Sequence, residues 1–315
     1  MKKHLVVVGS INLDLVSTAP RIPLSGETLT ATGFATFPGG KGANQAFAAA
    51  RLGTPVSMIG MLGNDSFGTE LRANLKSAGV DTKAVHETAT SSGIAQIITS
   101  EGGENVIVVA PGANALVSAS FLEKHIDLIR SSGMVLTQLE IPLETVQYLA
   151  EVTRKESIPL MLDPAPAQPL PSSLLKSVEW LTPNESETCS LLGLKSQDVS
   201  TEAMKEVAEI LLQRGSRNVL LKLGQRGCYL ALADGGRIFI PAYSVRAIDS
   251  TAAGDAFNGA FASALLQGHH PVRSASWATA VAAVSVTRHG AQPSMPTHAE
   301  VEAFLKEREG TEQPV

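Results

Sequence analysis

Short apolar segments alternate with helical patterns along most of this chain, and this alternation constrains the fold more than any other feature. The predicted strands are Leu5–Val8, Val56–Gly60, Met134–Leu139, Leu160–Asp163 and Val219–Leu223. The predicted helices are Phe67–Ala78, Leu143–Lys155, Ala203–Arg214, Ala253–Gln267 and Val272–Arg288. Such alternation is typical of βαβ units with a mainly parallel sheet, and strands that are apolar at nearly every position indicate helices on both faces. The sequence therefore predicts one α/β domain over residues 1–315, built on a doubly wound sheet.

Two segments depart from this pattern. Thr28–Phe37 and Val85–Val109 are rich in β-branched residues in strand-like alternation, with a turn at Ser100–Gly103. We expect a small antiparallel sheet, a β lid, inserted at about residues 12–38 and 85–112 and projecting from the main domain. The alternative is that these segments are edge strands of the main sheet.

The charge balance argues against several classes of partner. The chain has 25 Lys and Arg against 30 Asp and Glu, a net charge of −5, so we expect neither a nucleic-acid nor a membrane partner, and an anionic ligand needs a local binding feature. The apolar start is broken at Gly9, and no stretch reaches the length of a membrane helix, which predicts a cytoplasmic protein. The separation of Cys189 and Cys228 predicts neither a disulfide framework nor a zinc site. Residues 307–315 are polar and are expected to be frayed.

The strongest local motif is Asp249–Gly259, which follows a short strand and opens a long helix. Small residues at Ala252–Gly254 let the backbone N–H groups of the first turn face an anion, which the helix dipole also favours. Asp255 follows directly, where a carboxylate could take a proton from an attacking hydroxyl. The alternative is that Asp255 only offsets the helix dipole.

A second glycine cluster, Phe37–Gln45, leads into a helix predicted at Ala46–Leu52. It is not a P-loop, because Gly42 stands where Ser or Thr would follow the lysine. Its glycines allow a small polar ligand to approach the backbone, and Lys41 and Asn44 can hydrogen-bond hydroxyl groups; a tight turn before a helix is the alternative.

Polar residues also follow several predicted strands. Asn12 and Asp14 are placed at the end of the first strand, Glu140 follows the strand at Met134–Leu139, and Asn184 follows Trp180–Leu181. Because ligands of open α/β sheets bind beyond the carboxyl ends of the strands, these side chains are expected to converge on one crevice. Taken singly, each could instead be a cap or turn residue, and Asn184 could cap the next helix.

Taken together, these motifs resemble the ribokinase-like sugar kinase family, also called the PfkB family. The resemblance rests on GSINLD at Gly9–Asp14, GGKGANQ at Gly39–Gln45 and DSTAAGDAFNG at Asp249–Gly259. TPNESE at Thr182–Glu187, LGQRG at Leu223–Gly227 and RHGAQPSMP at Arg288–Pro296 add to it. The resemblance extends from about Val6 to Leu305 and implies ATP-dependent phosphorylation of the 5-hydroxyl of D-ribose. It also implies Mg²⁺, an activating K⁺ and a homodimer formed through the β lids.

The resemblance assigns residues to each part of the site. Sugar binding is implied for Asn12, Asp14, Gly40, Lys41, Gly42, Asn44, Glu140 and Asp255. Asp255 would be the catalytic base, beside an anion hole formed by Ala252, Ala253 and Gly254. The nucleotide would lie along Asn184, Lys222, Gly224, Gly227, Gly254 and Thr279, with Asn184 and Glu187 holding Mg²⁺ through waters. A monovalent cation would be held by Asp249, Thr251, Ser285, Arg288, Gly290 and Ser294.

Two positions depart from the family pattern, and other functions stay open. Lys222 stands where the family has a small hydroxyl residue, and Thr279 stands where Asn or His is usual. The alternatives are a kinase for another furanose or a nucleoside, such as deoxyribose, fructose or adenosine, or a non-catalytic sugar sensor. Asn12 beside Asp14 favours ribose, because a paired polar site rejects an analogue that lacks the hydroxyl it binds.

Overall fold

The computed structural model describes residues 4–194 and 201–309. The strands are β1 Leu5–Val8, β2 Asn12–Ala19, β3 Gly33–Gly39, β4 Val56–Gly63, β5 Val85–Thr88, β6 Gly93–Ser100, β7 Asn105–Ala110, β8 Met134–Thr137, β9 Leu160–Leu162, β10 Trp180–Leu181, β11 Asn218–Lys222, β12 Gly227–Ala231 and β13 Arg237–Pro241. The helices are α1 Lys41–Arg51, α2 Ser66–Ser77, α3 Ala119–Glu123, α4 Ile126–Ser131, α5 Leu143–Lys155, α6 Ser172–Leu175, α7 Glu185–Leu192, α8 Thr201–Gln213, α9 Ala253–Leu266, α10 Pro271–Ser285 and α11 His298–Glu309. Short 3₁₀ turns lie at Gly112–Leu116, Gly224–Arg226 and Gln292–Ser294.

The main sheet has the strand order β13-β12-β11-β10-β9-β8-β1-β4-β5. Neighbouring strands pair in parallel from β11 to β5, and at one end the pairs β11–β12 and β12–β13 are antiparallel. In β1, Leu5 and Val7 pack into one apolar core and Val6 and Val8 into a second one, as alternating side chains on a sheet covered on both faces must. The predicted α/β fold class is confirmed.

Helices α1, α2, α9, α10 and α11 contribute to the first core, and the second core is covered by α3 to α8. Helices α1 and α9 lie unusually close together. A Cβ at Gly259 would lie only 2.6 Å from the carbonyl oxygen of Gln45, so glycine is required at this crossing. This contact brings the starts of the two helices, and the two glycine-rich motifs, to the same edge of the sheet.

A separate four-stranded sheet has the order β3-β2-β6-β7. Two of its pairings are antiparallel, whereas β2 and β6 pair in parallel. The expectation that all of Val85–Val109 lies in this sheet is wrong, because Val85–Thr88 forms the edge strand β5 of the main sheet. The strand predicted at Thr28–Phe37 lies instead at Gly33–Gly39, and the turn at Ser100–Gly103 is confirmed by a hydrogen bond from Gly103 N–H to the Ser100 carbonyl at 2.9 Å.

Three other local predictions are corrected. Helix α1 begins at Lys41 rather than Ala46, because Gly40, with φ 86°, turns the chain so that the glycine-rich motif itself forms the first turn. Asn12 and Asp14 open strand β2 rather than ending β1. Residues 307–309 belong to α11, and the rest of the tail expected to be frayed lies outside the described residues. Among the described helices, none has both the length and the apolar character needed to cross a membrane.

Candidate active site

Two glycines let the first two motifs meet at the amino end of α1. A Cβ at Gly42 would lie 2.7 Å from the backbone nitrogen of Ser10, so only glycine fits between these backbones. The Ala43 N–H donates to the Ser10 carbonyl at 2.9 Å. The chain between β1 and β2 is thereby fixed against the first turn of α1.

Glu140, which follows β8, holds these segments together on one side of the site. Its Oε2 accepts a hydrogen bond from Ser10 Oγ at 2.5 Å and one from the Lys41 N–H at 3.1 Å. The Nδ2 of Asn12 lies 3.5 Å from the same oxygen. On its other side, Asn12 Oδ1 accepts from Asn114 Nδ2 at 2.7 Å, so the amide orientation of Asn12 is fixed.

Asp14 joins this cluster from β2. Its carboxyl lies against Gly39, where a Cβ would come within 2.6 Å of Asp14 Cγ. Burial, together with the nearby Glu140 and Asp255 carboxylates, raises the pKa of Asp14 to about 7, and the Lys41 ammonium only partly opposes this shift. The group is therefore poised to take or lose a proton near neutral pH.

Asp255 lies in the first turn of α9 and is only 6% exposed. Its Oδ2 accepts from Asn44 Nδ2 and its Oδ1 from Gln45 Nε2, both at 2.9 Å. Asn44 is itself oriented by Gln292, whose Nε2 donates to Asn44 Oδ1 at 3.0 Å. Burial raises the pKa of Asp255, while Lys41 and the two amide donors pull it down. The carboxylate is held in place by neutral donors and can still accept a proton.

Gln45 links Asp255 to a second buried carboxylate. Its Nε2 also donates to Asp163 Oδ2 at 2.8 Å, and its Oε1 accepts from Gln138 Nε2 at 2.6 Å. The other oxygen of Asp163 forms an ion pair with Lys222 Nζ at 2.8 Å. One continuous chain of hydrogen bonds thus joins the Asp255 carboxylate, the Gln45 amide, the Asp163 carboxylate and the Lys222 ammonium.

A cavity of about 650 Å³ opens at Lys222. Its lining includes five of the predicted nucleotide residues: Lys222, Gly224, Gly227, Gly254 and Thr279. Much of the rest of its wall is apolar and comes from Tyr243, Val245, Phe257, Ala282 and Val286. The volume and the mixture of apolar wall with few polar groups are typical of a site for a small organic ligand.

The first turn of α9 faces this cavity through Ala253 and Gly254. Ala252 starts the helix in a left-handed conformation, with φ 57° and ψ 15°. This conformation is costly for a residue other than glycine and is common at functional sites. Because alanine has no side-chain acceptor, no side chain caps this turn. The Ala253 N–H donates to the Ser250 carbonyl at 3.2 Å, so Gly254 is the residue of this turn whose N–H can meet an anion in the cavity.

Asn184 caps a helix, which is the alternative role that the sequence left open for it. Its Oδ1 accepts from the Glu187 N–H at 2.8 Å, and its own N–H donates to Glu187 Oε2 at 2.7 Å, a capping box at the start of α7. Asn184 is not among the residues that line the cavity. Burial raises the pKa of Glu187, and the positive charge of Lys222 opposes part of this rise.

Within residues 4–194 and 201–309, no three His, Cys, Asp or Glu side chains converge closely enough to hold a metal directly.

Asp249 joins two segments beside the anion hole. Its Oδ1 accepts from the Thr251 N–H and its Oδ2 from the Gly290 N–H, both at 2.8 Å. Burial raises the pKa of Asp249, but these hydrogen bonds outweigh it and hold the pKa below its ordinary value. The carboxylate stays ionised beside the end of α10, where the predicted cation residue Ser285 is the last helical residue and Arg288 and Gly290 follow it.

A model of pfkB family carbohydrate kinases matches residues 2–298 of the chain. The chain belongs to this family of carbohydrate kinases. The ribokinase of Haemophilus influenzae is 39% identical to the kinase over 307 residues, which cover 97% of this chain and 99% of that protein. The structure of Arabidopsis thaliana ribokinase complexed with ribose and ATP superimposes with a TM-score of 0.90 at 33% identity, covering 97% of this chain and 99% of the other. A deoxyribokinase of Salmonella typhi is 34% identical over 303 residues, or 96% of this chain and 98% of that protein. The family resemblance inferred from the motifs is confirmed.

The kinase site also contains residues that the sequence did not single out. Gln45, Asp163 and Gln138 form the interior of the hydrogen-bond chain, while Asn114 and Gln292 orient Asn12 and Asn44. Asp163 could have been found, because it is an acid at the carboxyl end of the predicted strand Leu160–Asp163 in a parallel sheet. The start of α9, where the sequence predicts an anion hole, has a lysine nearby: a Cβ at Gly254 would lie 3.5 Å from Lys222 Nζ.

Proposed function

We propose that this kinase transfers the γ-phosphoryl group of ATP to the 5-hydroxyl of D-ribose. The observation that carries the proposal is Asp255, a buried carboxylate between the Asn12, Asp14 and Glu140 cluster and the cavity at the start of α9. The sugar occupies the first region and the nucleotide the second. The similarity to ribokinases over nearly the full chain supports both assignments.

Asp255 is the general base in this mechanism. The O–H bond of the 5-hydroxyl breaks as its proton moves to the Asp255 carboxylate, and the oxygen forms a new bond to the γ-phosphorus. The bond from the γ-phosphorus to its bridging oxygen breaks, and ADP leaves with that electron pair. Burial raises the pKa of the Asp255 carboxyl, which makes it a stronger proton acceptor, and Lys41, Asn44 and Gln45 oppose part of that rise.

Charge on the phosphoryl oxygens is stabilised by the first turn of α9. The Gly254 N–H is fixed before the reaction by the helix and by the left-handed Ala252, while the Ala253 N–H is held by the Ser250 carbonyl at 3.2 Å. No reorganisation of these dipoles is then needed as charge shifts during transfer.

Magnesium fits Asn184 and Glu187 as ligands through water. Mg²⁺ usually keeps several waters and binds through one or two carboxylates plus substrate phosphates, and Glu187 is a buried carboxylate near Lys222 and Asp163. When bound, the ion neutralises charge on the phosphate oxygens. The capping box fixes the orientation of Glu187, because both of its carboxylate oxygens accept hydrogen bonds from Asn184.

Ribose is favoured over sugars with fewer hydroxyls. Asn12 is buried, and both ends of its amide are already oriented by Glu140 and Asn114. A missing hydroxyl leaves such a group unpaired at a cost of about 1–3 kcal/mol. We expect 2-deoxyribose to lose at least about tenfold in kcat/KM relative to ribose.

A coupled assay of ADP release across ribose, 2-deoxyribose, fructose and adenosine tests this choice. A higher kcat/KM for any of the other three contradicts the assignment to ribose but leaves the kinase assignment intact. Absence of turnover with every acceptor favours the alternative of a non-catalytic sugar sensor. The presence of Asp255 and of the proposed anion hole argues against that alternative.

A monovalent cation is proposed beside the anion hole, held by Asp249, Thr251, Ser285, Arg288, Gly290 and Ser294, several of them through backbone carbonyls. Asp249 supplies a fixed negative charge and ties the two segments together. K⁺ bound there would hold the backbone near Ala252 in its strained conformation. We expect kcat to rise several-fold when Na⁺ is replaced by K⁺ at equal ionic strength. Equal turnover in K⁺, Na⁺ and tetramethylammonium contradicts this site.

The four-stranded sheet is proposed as a lid that closes over the sugar and pairs two subunits. Its edge strand β7 exposes both faces and is apolar, with Val108 60% exposed, and Phe34 of β3 is 67% exposed. An apolar, unpaired edge strand is a surface that a second copy can cover. We expect light scattering at micromolar concentration to give twice the 33.0 kDa chain mass.

The matched variant is Ile107→Lys with Val108→Lys, which places charge on both faces of β7. It should be monomeric, because lysines on an edge strand block pairing. A wild-type protein of single-chain mass, with or without ribose, contradicts the dimer.

We further propose that the kinase works in the cytoplasm, where ATP is available.

A further inference from the structure

Lys222 ends β11 and lines the cavity, at a position where the family pattern has a small hydroxyl residue. Its ammonium lies at the start of α9, because a methyl group placed on Gly254 would come within 3.5 Å of Nζ. The side chain is 11% exposed and its partner Asp163 is 2% exposed. A lysine charge is thus buried next to the N–H groups that form the anion hole.

We propose that Lys222 is a further catalytic residue, whose ammonium binds oxygens of the phosphoryl group that moves from the nucleotide to the sugar. This inference rests on the proposed kinase function and adds a second lysine to the site that Lys41 already occupies. The dipole of α9 and the Lys222 charge act on the same anion. Asp163 is the positioning residue that holds the ammonium in place.

The charge state of Lys222 supports this role. The ion pair with Asp163 at 2.8 Å holds the ammonium against a buried carboxylate before any ligand enters. An ammonium has three N–H donors, and the ion pair with Asp163 uses one of them. A charged donor aimed at phosphate oxygens in a site with little water gives stronger stabilisation than a hydroxyl would.

The same chain of hydrogen bonds fixes the position of Lys222 relative to Asp255, the proposed base. Gln45 Nε2 donates both to Asp163, the counterion of Lys222, and to Asp255. One rigid amide therefore fixes the position of the ammonium and of the carboxylate at once. Such an arrangement places a cation on the phosphoryl side and a base on the hydroxyl side of the transfer.

A purely structural ion pair is the competing explanation, in which Lys222 only neutralises Asp163. Two variants separate the explanations. Lys222→Gln keeps an N–H donor on a side chain one atom shorter but removes the charge. The double variant Lys222→Met with Asp163→Asn removes both buried charges, so that neither is left unpaired. Lys83→Met, at a side chain 91% exposed, is the matched control for loss of one positive charge.

We expect both Lys222 variants to lose about 10²-fold in kcat with ribose and ATP, while Lys83→Met is unchanged. By calorimetry without sugar, their affinity for a non-hydrolysable ATP analogue should fall at least about tenfold more than their affinity for ADP. Circular dichroism checks that the variants are folded. The proposal is overturned if the folded variants keep the wild-type kcat and bind both nucleotides as the wild type does. The calorimetric comparison uses no sugar, so it tests the role of Lys222 even if ribose is the wrong substrate. Whether ribose is the substrate is decided separately, by the turnover of the wild-type protein.

Discussion

Asp255→Asn is expected to lower kcat by about 10²–10⁴-fold, or about 3–5 kcal/mol of transition-state stabilisation, because it removes the proton acceptor. The sugar contacts proposed for Asn12, Asp14 and Glu140 stay in place. The affinities for ribose and ATP, measured by calorimetry, should therefore change by less than about tenfold, ~1.4 kcal/mol. This split between kcat and binding is the signature of a group that acts mainly in the transition state.

The substitution also has a structural cost, which the hydrogen bonds define. Both oxygens of Asp255 accept N–H donors, one from Asn44 and one from Gln45. The amide of an asparagine can satisfy only one of these donors and turns an N–H toward the other. A loss of about 1–3 kcal/mol in the free energy of unfolding follows, so folding must be checked by thermal denaturation.

Asp127→Asn is the control, since this carboxylate on α4 is 95% exposed and far from the site in sequence. It should leave kcat unchanged. A near-normal kcat in Asp255→Asn would remove the base assignment and favour a residue that offsets the dipole of α9. Loss of both binding and folding would make Asp255 mainly structural.

The fold was largely predictable because the alternation of strands and helices is strong. Strand Leu5–Val8 and helix Leu143–Lys155 match the structure residue for residue. The errors occur where local sequence does not decide the outcome. Val85–Thr88 has the same β-branched character as its neighbours, and only tertiary pairing with β4 assigns it to the main sheet. Helix α1 was placed five residues late because Gly40 and Gly42 signal a turn as strongly as a helix start.

The site was only partly predictable. The motif residues Asn12, Lys41, Asn44, Glu140 and Asp255 are brought together as expected. What orients them is contributed by single polar side chains from distant segments, since a buried amide must find partners wherever the packing supplies them. Periodicity cannot reveal such partners, because it reports which face of an element is apolar and not which polar atoms meet.

Gln45 is the residue whose importance emerges only from the structure, and its substitution gives the second large expected effect. Gln45→Met keeps the volume but removes an N–H donor shared by Asp163 and Asp255 and the acceptor of Gln138. Each buried polar group left unpaired costs about 1–3 kcal/mol. We expect the free energy of unfolding to fall by about 3 kcal/mol or more, measured by urea denaturation, with Gln213→Met on the exposed end of α8 unchanged.

The same substitution should move the pH profile in a defined direction. The hydrogen bond from Gln45 lowers the pKa of Asp255 against the raising effect of burial. Without it the pKa rises further, so a larger fraction of Asp255 is protonated at neutral pH and cannot accept the hydroxyl proton. The acidic limb of kcat should shift to higher pH, with at least about tenfold loss at neutral pH that is regained as the pH is raised. Gln45→Glu keeps the shape but puts a third carboxyl between Asp163 and Asp255, and it should shift the limb further in the same direction. A loss of kcat that is equal at every pH would mean that Gln45 only supports the packing of α1 against α9, and that the ionisation of Asp255 does not depend on it.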